Sequence, residues 1–323
     1  MELDARAPAG LICPLVTPLD PDYNLDAVSF RRLWSHVERW VDGLLIGDPL
    51  WGEGPFLSSK LRLALIENAL DLVGGKGALL IGITSPSLEE TVQFRRGAEA
   101  IIRRRNYHGP LFWVDYPLYY HSNRGLPDAY ASLLSETAFP LLIGNDAQLV
   151  KMKKRHGRRK NIRTRVLKKI ASLSSVIGII YAGDLQRALN YHMAVRFRDH
   201  FLFYDGDENV FIRNPAKGGV AAGGANLFPR QWSAIAQMSS GQALSKNYLE
   251  YAMSDVWEDS RMLRRFGNLY HSLPAVALKR ILKQVGLIAH DESVWPMASQ
   301  QKSCLGEAWL RDLNKLLSAY DLI

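Results

Sequence analysis

The chain has 323 residues, 47% of them hydrophobic and 22% charged, a balance that excludes disordered, collagen-like and coiled-coil architectures. No apolar run approaches the roughly 18 residues that mark a membrane-spanning helix. The start carries Glu2, Asp4 and Arg6 without a signal-peptide pattern, and two cysteines, Cys13 and Cys304, are too few for a disulfide framework or a zinc site, so a reducing cytoplasm is the expected compartment. The net charge of +8 is local: eleven of the 40 basic residues fall between Lys151 and Lys169, and the other 29 face 32 acidic ones.

In chain order, short apolar blocks alternate with amphipathic segments. The blocks are Leu11–Val16, Gly43–Ile46, Ala78–Ile83, Leu111–Val114, Pro140–Ile143, Val176–Ile180, Phe201–Tyr204 and Val220–Ala222. Continuous apolar blocks are how strands buried on both faces read. Between them, Asp26 opens a first helix, and Ser58–Val73 forms a second with Leu61, Leu65, Ala69 and Leu72 on one face. Ser87 and Glu90 have capping-box spacing ahead of a helix to Arg105, and Asp184 precedes another to Arg198. This beat predicts a (β/α)8 TIM barrel over residues 1–240. Residues 241–323 read as a C-terminal helical extension with helices near Ala243–Asp259, Arg261–Val285 and Leu305–Ala319.

Functional groups of such barrels sit at the C-terminal ends of the strands. Those ends carry Leu11-Ile12-Cys13-Pro14-Leu15-Val16-Thr17-Pro18-Leu19, Gly52-Glu53 with Leu57-Ser58 and Arg62, Pro117-Leu118-Tyr119-Tyr120-His121, Gly206-Asp207, and Gly223-Gly224-Ala225-Asn226. Lys279, Gly286-Leu287 and Pro296-Met297 follow in the helical extension. In order and spacing these motifs resemble the dihydrodipicolinate synthase and N-acetylneuraminate lyase family of pyruvate-handling aldolases, over nearly the whole chain.

The resemblance implies a lysine at the end of the sixth strand, whose amine forms a Schiff base with a keto acid. This sequence has Gly178-Ile179-Ile180-Tyr181-Ala182-Gly183-Asp184 there, with Ile180 in the lysine position and no lysine between Lys169 and Lys217. The family's Gly-Thr-Thr-Gly-Glu loop is replaced by Gly47-Asp48-Pro49-Leu50-Trp51-Gly52-Glu53, which puts Leu50 and Trp51 where the threonines would be. The Tyr-Asn-x-Pro after the fifth strand is reduced to Gly144-Asn145-Asp146-Ala147. Tyr119 resembles the relay tyrosine but lacks its partners. The expectation is a family member without Schiff-base chemistry: a pseudoenzyme, or a homologue that binds a small anionic ligand or partner. The alternative is a lyase or synthase acting on a keto or sugar acid by lysine-independent chemistry through Tyr119, His121, Glu53 or Asp184.

Ligand contacts at the barrel mouth are expected from Leu50, Trp51, Glu53, His121, Asn145 and Gly223, and from a basic patch of Lys153, Lys154, Arg155, Arg158 and Arg159. The patch reads first as a solvated loop, then as an anion site, and last as a nucleic-acid surface, since no aromatic residue lies between Lys151 and Ser175 to stack bases. The scattered histidines lack metal-ligand spacing, so neither a metal nor a cofactor is expected. The resemblance implies a homo-oligomer, a dimer or tetramer.

Overall fold

The computed structural model describes residues 7–152, 159–216, 218–240, 253–296 and 305–320. Eight parallel strands close in sequence order: β1 (Gly10–Pro14), β2 (Gly43–Ile46), β3 (Ala78–Gly82), β4 (Leu111–Asp115), β5 (Leu141–Asp146), β6 (Val176–Ala182), β7 (Leu202–Asp205) and β8 (Gly219–Ala221). β8 returns to β1 with Gly10 opposite Gly219, which makes the sheet a (β/α)8 TIM barrel. β1, β2, β4 and β8 are buried along their whole length, the burial that continuous apolar blocks demand.

Helix starts follow the caps. Asp26 accepts from the Val28 and Ser29 amides at the head of α1 (Ala27–Val37). Ser58 caps α2 (Ser59–Val73), Ser87 caps α3 (Leu88–Arg104), and α4 (Leu126–Ser135) follows β4. The face that α2 buries is wider than the expected stripe. It takes in Ile66, Leu70 and Val73, while Leu61 and Leu72 sit half-buried at its edges.

The described residues of the β5–β6 crossover include α5 (Ala147–Met152) and α6 (Thr164–Ile170). Then come α7 (Leu185–Val195), α8 (Glu208–Arg213) and α9 (Pro229–Ser240).

The C-terminal helices depart from the sequence expectation. One helix, α10 (Met253–Tyr270), runs through the break expected near Ser260. The real break is at His271–Leu273, before α11 (Pro274–Gln284). Pro274 has no amide to donate and pushes Leu273 out of the helical region, to φ −135° and ψ 63°. A final helix, α12, spans Glu307–Ala319. The expected boundary at 240/241 falls beside residues 241–252, outside the described residues.

These helices are fastened to the barrel. Phe266 meets Phe228 edge-on at 4.8 Å, and Ala289 donates its amide to Ser29 Oγ. Among the described residues no helix is long and apolar enough to cross a membrane.

Candidate functional site

The loop after β2 builds the centre of the mouth. Asp48 Oδ1 accepts from the Leu50 amide at 2.8 Å and the Trp51 amide at 2.9 Å, folding the loop back over the strand ends. Its Oδ2 accepts from the Tyr116 hydroxyl at 3.0 Å. Burial pushes the Asp48 carboxyl up in spite of these three donors, and burial with the Asp48 charge raises the Tyr116 phenol.

Both large rings at the mouth stand on glycines. A Cβ on Gly144 would lie 2.4 Å from the Tyr116 ring, and one on Gly223 would lie 2.2 Å from the Trp51 ring. Trp51 is covered on another side by Tyr270 of α10, edge-on at 5.6 Å. Tyr270 donates its hydroxyl to Glu208, which also accepts from the Gly224 amide at 2.7 Å. Asn226 ties β8 to β1 through Pro14 O, Gly223 O and the Val16 amide.

The space left on the barrel axis is a cavity of about 10 Å³ lined by Asp48, Leu50, Trp51, Tyr116, Asp146 and Ile180, among others. That is room for one water, not for a keto acid. Ile180 is 2% exposed and pairs with Gly144 and Tyr204 on the neighbouring strands. Asp146 is pushed up to about 6, mainly by burial, with the charges of Asp48 and Asp207 adding to it. Glu208 is pushed up to about 7, again mainly by burial.

A cleft of about 200 Å³ lies above this centre, with Asp146, Lys151, Asp207, Glu208 and His271 in its wall. A larger pocket, about 480 Å³, lies to the side, where the loops after β4 and before α6 meet. His121, Arg124, Arg159, Arg163 and Arg165 line it. Among the described residues no group of three or more His, Cys, Asp and Glu side chains is placed to hold a metal ion.

The expected site residues therefore separate. Leu50, Trp51 and Ile180 meet at the axis, with Gly223 beneath Trp51.

Glu53 does not face a ligand space. It is fully buried, and its carboxylate accepts from Lys279, Ser293 and the Trp295 amide in the C-terminal segment. Asn145 is likewise occupied, donating to Asn161 and accepting from the Ile162 amide. Tyr119 packs edge-on against Phe56 at 6.3 Å, and burial raises its phenol. Asp184 is an exposed cap of α7, accepting from the Arg187 amide.

His121 joins Arg159 in the side pocket instead of the axis. Lys153, Lys154, Arg155 and Arg158 lie outside the described residues. Sequence reasoning missed Asp48, Tyr116, Asp146 and Glu208. The available signal was Gly144, which leaves room at the end of β5 for a ring from elsewhere.

Residues 7–308 match the Dihydrodipicolinate synthetase family. The chain is 27% identical over 231 residues to a 4-hydroxy-tetrahydrodipicolinate synthase of Protochlamydia amoebophila, covering 68% of this chain and 70% of that protein. It is 25% identical over 287 residues to the Moorella thermoacetica protein of the same name, covering 86% and 89%. The dihydrodipicolinate synthase structure from Thermotoga maritima superposes with a TM-score of 0.76 at 21% identity, over 98% of this chain and 99% of that one. Taken with the closed barrel and its fastened C-terminal helices, the match over residues 7–308 shows that this chain belongs to the dihydrodipicolinate synthetase family.

Proposed function

We propose that this chain is a family member that has given up Schiff-base aldolase chemistry and binds a small anionic ligand. The observation that carries the reading is the filled axis. Ile180 stands in the position where the resemblance puts the lysine, and Trp51 and Tyr116 leave a cavity of about 10 Å³ around it. An isoleucine has no nucleophile, and the cavity has no volume for a ketone. Lys279 is fully buried against Glu53, and Lys151 stands in the wall of the outer cleft.

Borohydride reduction in the presence of pyruvate, read by intact mass, is the test. No adduct is expected, and a pyruvate-mass adduct on Lys151 or any other lysine would sink the reading. Ile180→Lys alone is expected to restore no pyruvate turnover, because a new amine does not make room past Trp51. It costs about 1–3 kcal/mol of stability by placing an amine among apolar strand ends.

One observation favours a second reading, lysine-independent chemistry on a keto or sugar acid. Asp48, Tyr116 and Asp146 together line the axis, and a carboxyl held near 6 beside a hydrogen-bonded phenol is equipped to move protons. Turnover on a keto-acid and sugar-acid panel that disappears in Asp146→Asn would establish it over the first.

We place the protein in the cytoplasm as a homo-oligomer. The exposed apolar residues Leu185, Leu189, Met193 and Phe197, four apart along α7 and just past it, support self-association. Sedimentation as a clean monomer would remove that part.

A further inference from the structure

The geometry points to the side pocket as a site for a small ligand carrying two or more phosphate groups. This deepens the binding half of the proposal above and rests on it, but it lies off the barrel axis and uses none of the residues that fill the centre.

Charge is the first argument. The pocket gathers Arg124, Arg159, Arg163 and Arg165 with His121, and among the described residues no carboxylate lines it. Elsewhere the protein pairs many of its arginines. Arg95 and Arg96 reach Glu136, Arg104 reaches Glu67, Arg105 reaches Asp71, and Arg280 reaches Asp291. No described carboxylate forms an ion pair with any of the four pocket arginines. Their mutual repulsion is therefore left for solvent or a ligand to offset.

Preorganisation is the second. The backbone that carries Arg163 is pinned from three sides. Asn123 accepts from the Arg163 amide at 2.7 Å and donates to Asn161 O at 3.1 Å. Asn145, from the end of β5, holds Asn161 and the Ile162 amide. Tyr191 of α7 donates its hydroxyl to Ile162 O at 2.6 Å. A loop already fixed by buried polar partners loses less freedom when a ligand arrives.

Shape and side-chain type set the ligand class. A volume of about 480 Å³ is in the usual range of small-ligand pockets. Guanidinium groups grip phosphate oxygens in pairs, through a planar fork that lysine lacks. A single phosphate would engage one or two of the four arginines and leave the others facing each other, so the fit is to at least two phosphates. Among the described residues the lining contains no Phe, Tyr or Trp, so there is no broad platform for a base, which argues against a nucleic-acid strand.

The test is titration calorimetry of the full chain with inorganic pyrophosphate and, separately, inorganic phosphate. Saturable one-to-one binding of pyrophosphate, clearly tighter than phosphate, is expected. Arg124→Gln, Arg163→Gln and Arg165→Gln should each weaken it about tenfold, as loss of a charge-assisted hydrogen bond does, and the triple variant should abolish it. Arg103→Gln, on the outer face of α3, should leave it unchanged. The targeted side chains are at the surface, and circular dichroism verifies that the triple variant is folded.

Absent binding, or equal binding by the folded triple variant, overturns the proposal. Phosphate binding as tightly as pyrophosphate overturns the two-phosphate class, and a single-stranded RNA that displaces pyrophosphate at lower concentration overturns the small-ligand class. A borohydride adduct would overturn the reading of the axis and leave this pocket standing, so the two failures are distinguishable.

Discussion

On the side of β2 and β8, the mouth is roofed by α10 and α11 and stitched through buried polar pairs: Glu53 with Lys279 and Glu208 with Tyr270. On the side of β4 and β5, arginines stand at the surface around a pocket of about 480 Å³. The roofed side spends its polar groups on one another and leaves room for a single water. The open side keeps its cations unpaired among the described residues and its volume free. In one barrel, mutually paired polar groups and arginines without a described ion pair occupy different parts of the same rim.

The largest effect should come from breaking the roof. Lys279→Met leaves the Glu53 carboxylate buried without its cation and should cost about 3–5 kcal/mol, read by urea unfolding. Adding Glu53→Gln to that variant should recover part of the loss, which a purely steric defect would not allow.

Next comes the seat of the indole. Gly223→Ala places a methyl where the Trp51 ring lies and should cost about 1–3 kcal/mol. The near-ultraviolet dichroism should change with it, and an unchanged spectrum and midpoint would show that Trp51 does not plug the axis.

The third effect is one of pH. Glu208 is raised from 4.5 to about 7 in the folded protein, so the fold binds its proton more tightly than the unfolded chain does. Its stabilising contribution is then complete below about pH 4.5 and is lost as pH rises through about 7. Asp205, raised to about 7, and Asp146, raised to about 6, act in the same direction. Unfolding free energy should fall between those limits, and Glu208→Gln should remove about 3 kcal/mol of that fall. A slope unchanged in that variant would place the titration elsewhere.

The smallest effect belongs to the open side. Arg165→Gln should change stability by less than about 0.5 kcal/mol while still weakening pyrophosphate binding. A large stability loss there would mean that the arginines hold the fold together.

The barrel was legible because each strand is a continuous apolar block and several helix caps, Asp26, Ser58, Ser87 and Asp184, lie where the periodicity starts. Strand ends were read to within three residues, the largest miss being β5, which runs past Ile143 to Asp146. The break before Pro274 could also have been read, but the charged run from Glu258 to Arg265 looks like a surface turn and is in fact two turns of a continuous helix, with Glu258, Arg261, Arg264 and Arg265 exposed and Met262 and Leu263 buried. The site was legible in part. Leu50, Trp51 and Ile180 meet at the axis because the resemblance fixed their strand ends. Glu53 and Asn145 carry the same polarity as ligand-binding residues, and only the fold shows that their hydrogen-bonding atoms are engaged by segments remote in sequence. Tyr116 and Asp48 were passed over because they are 68 residues apart and nothing local links a phenol to that carboxylate.

The Glu53 clamp has a consequence for how the chain is made. Its three partners lie 226, 240 and 242 residues downstream. At roughly 5–20 residues per second, a ribosome delivers the counter-charge on the order of ten seconds or more after the β2 loop emerges. Through that interval the Glu53 carboxylate lacks its counter-charge, so the loop that carries it should stay hydrated until the C-terminal helices arrive. A message truncated before the Lys279 codon would therefore release a barrel unable to shut its own rim.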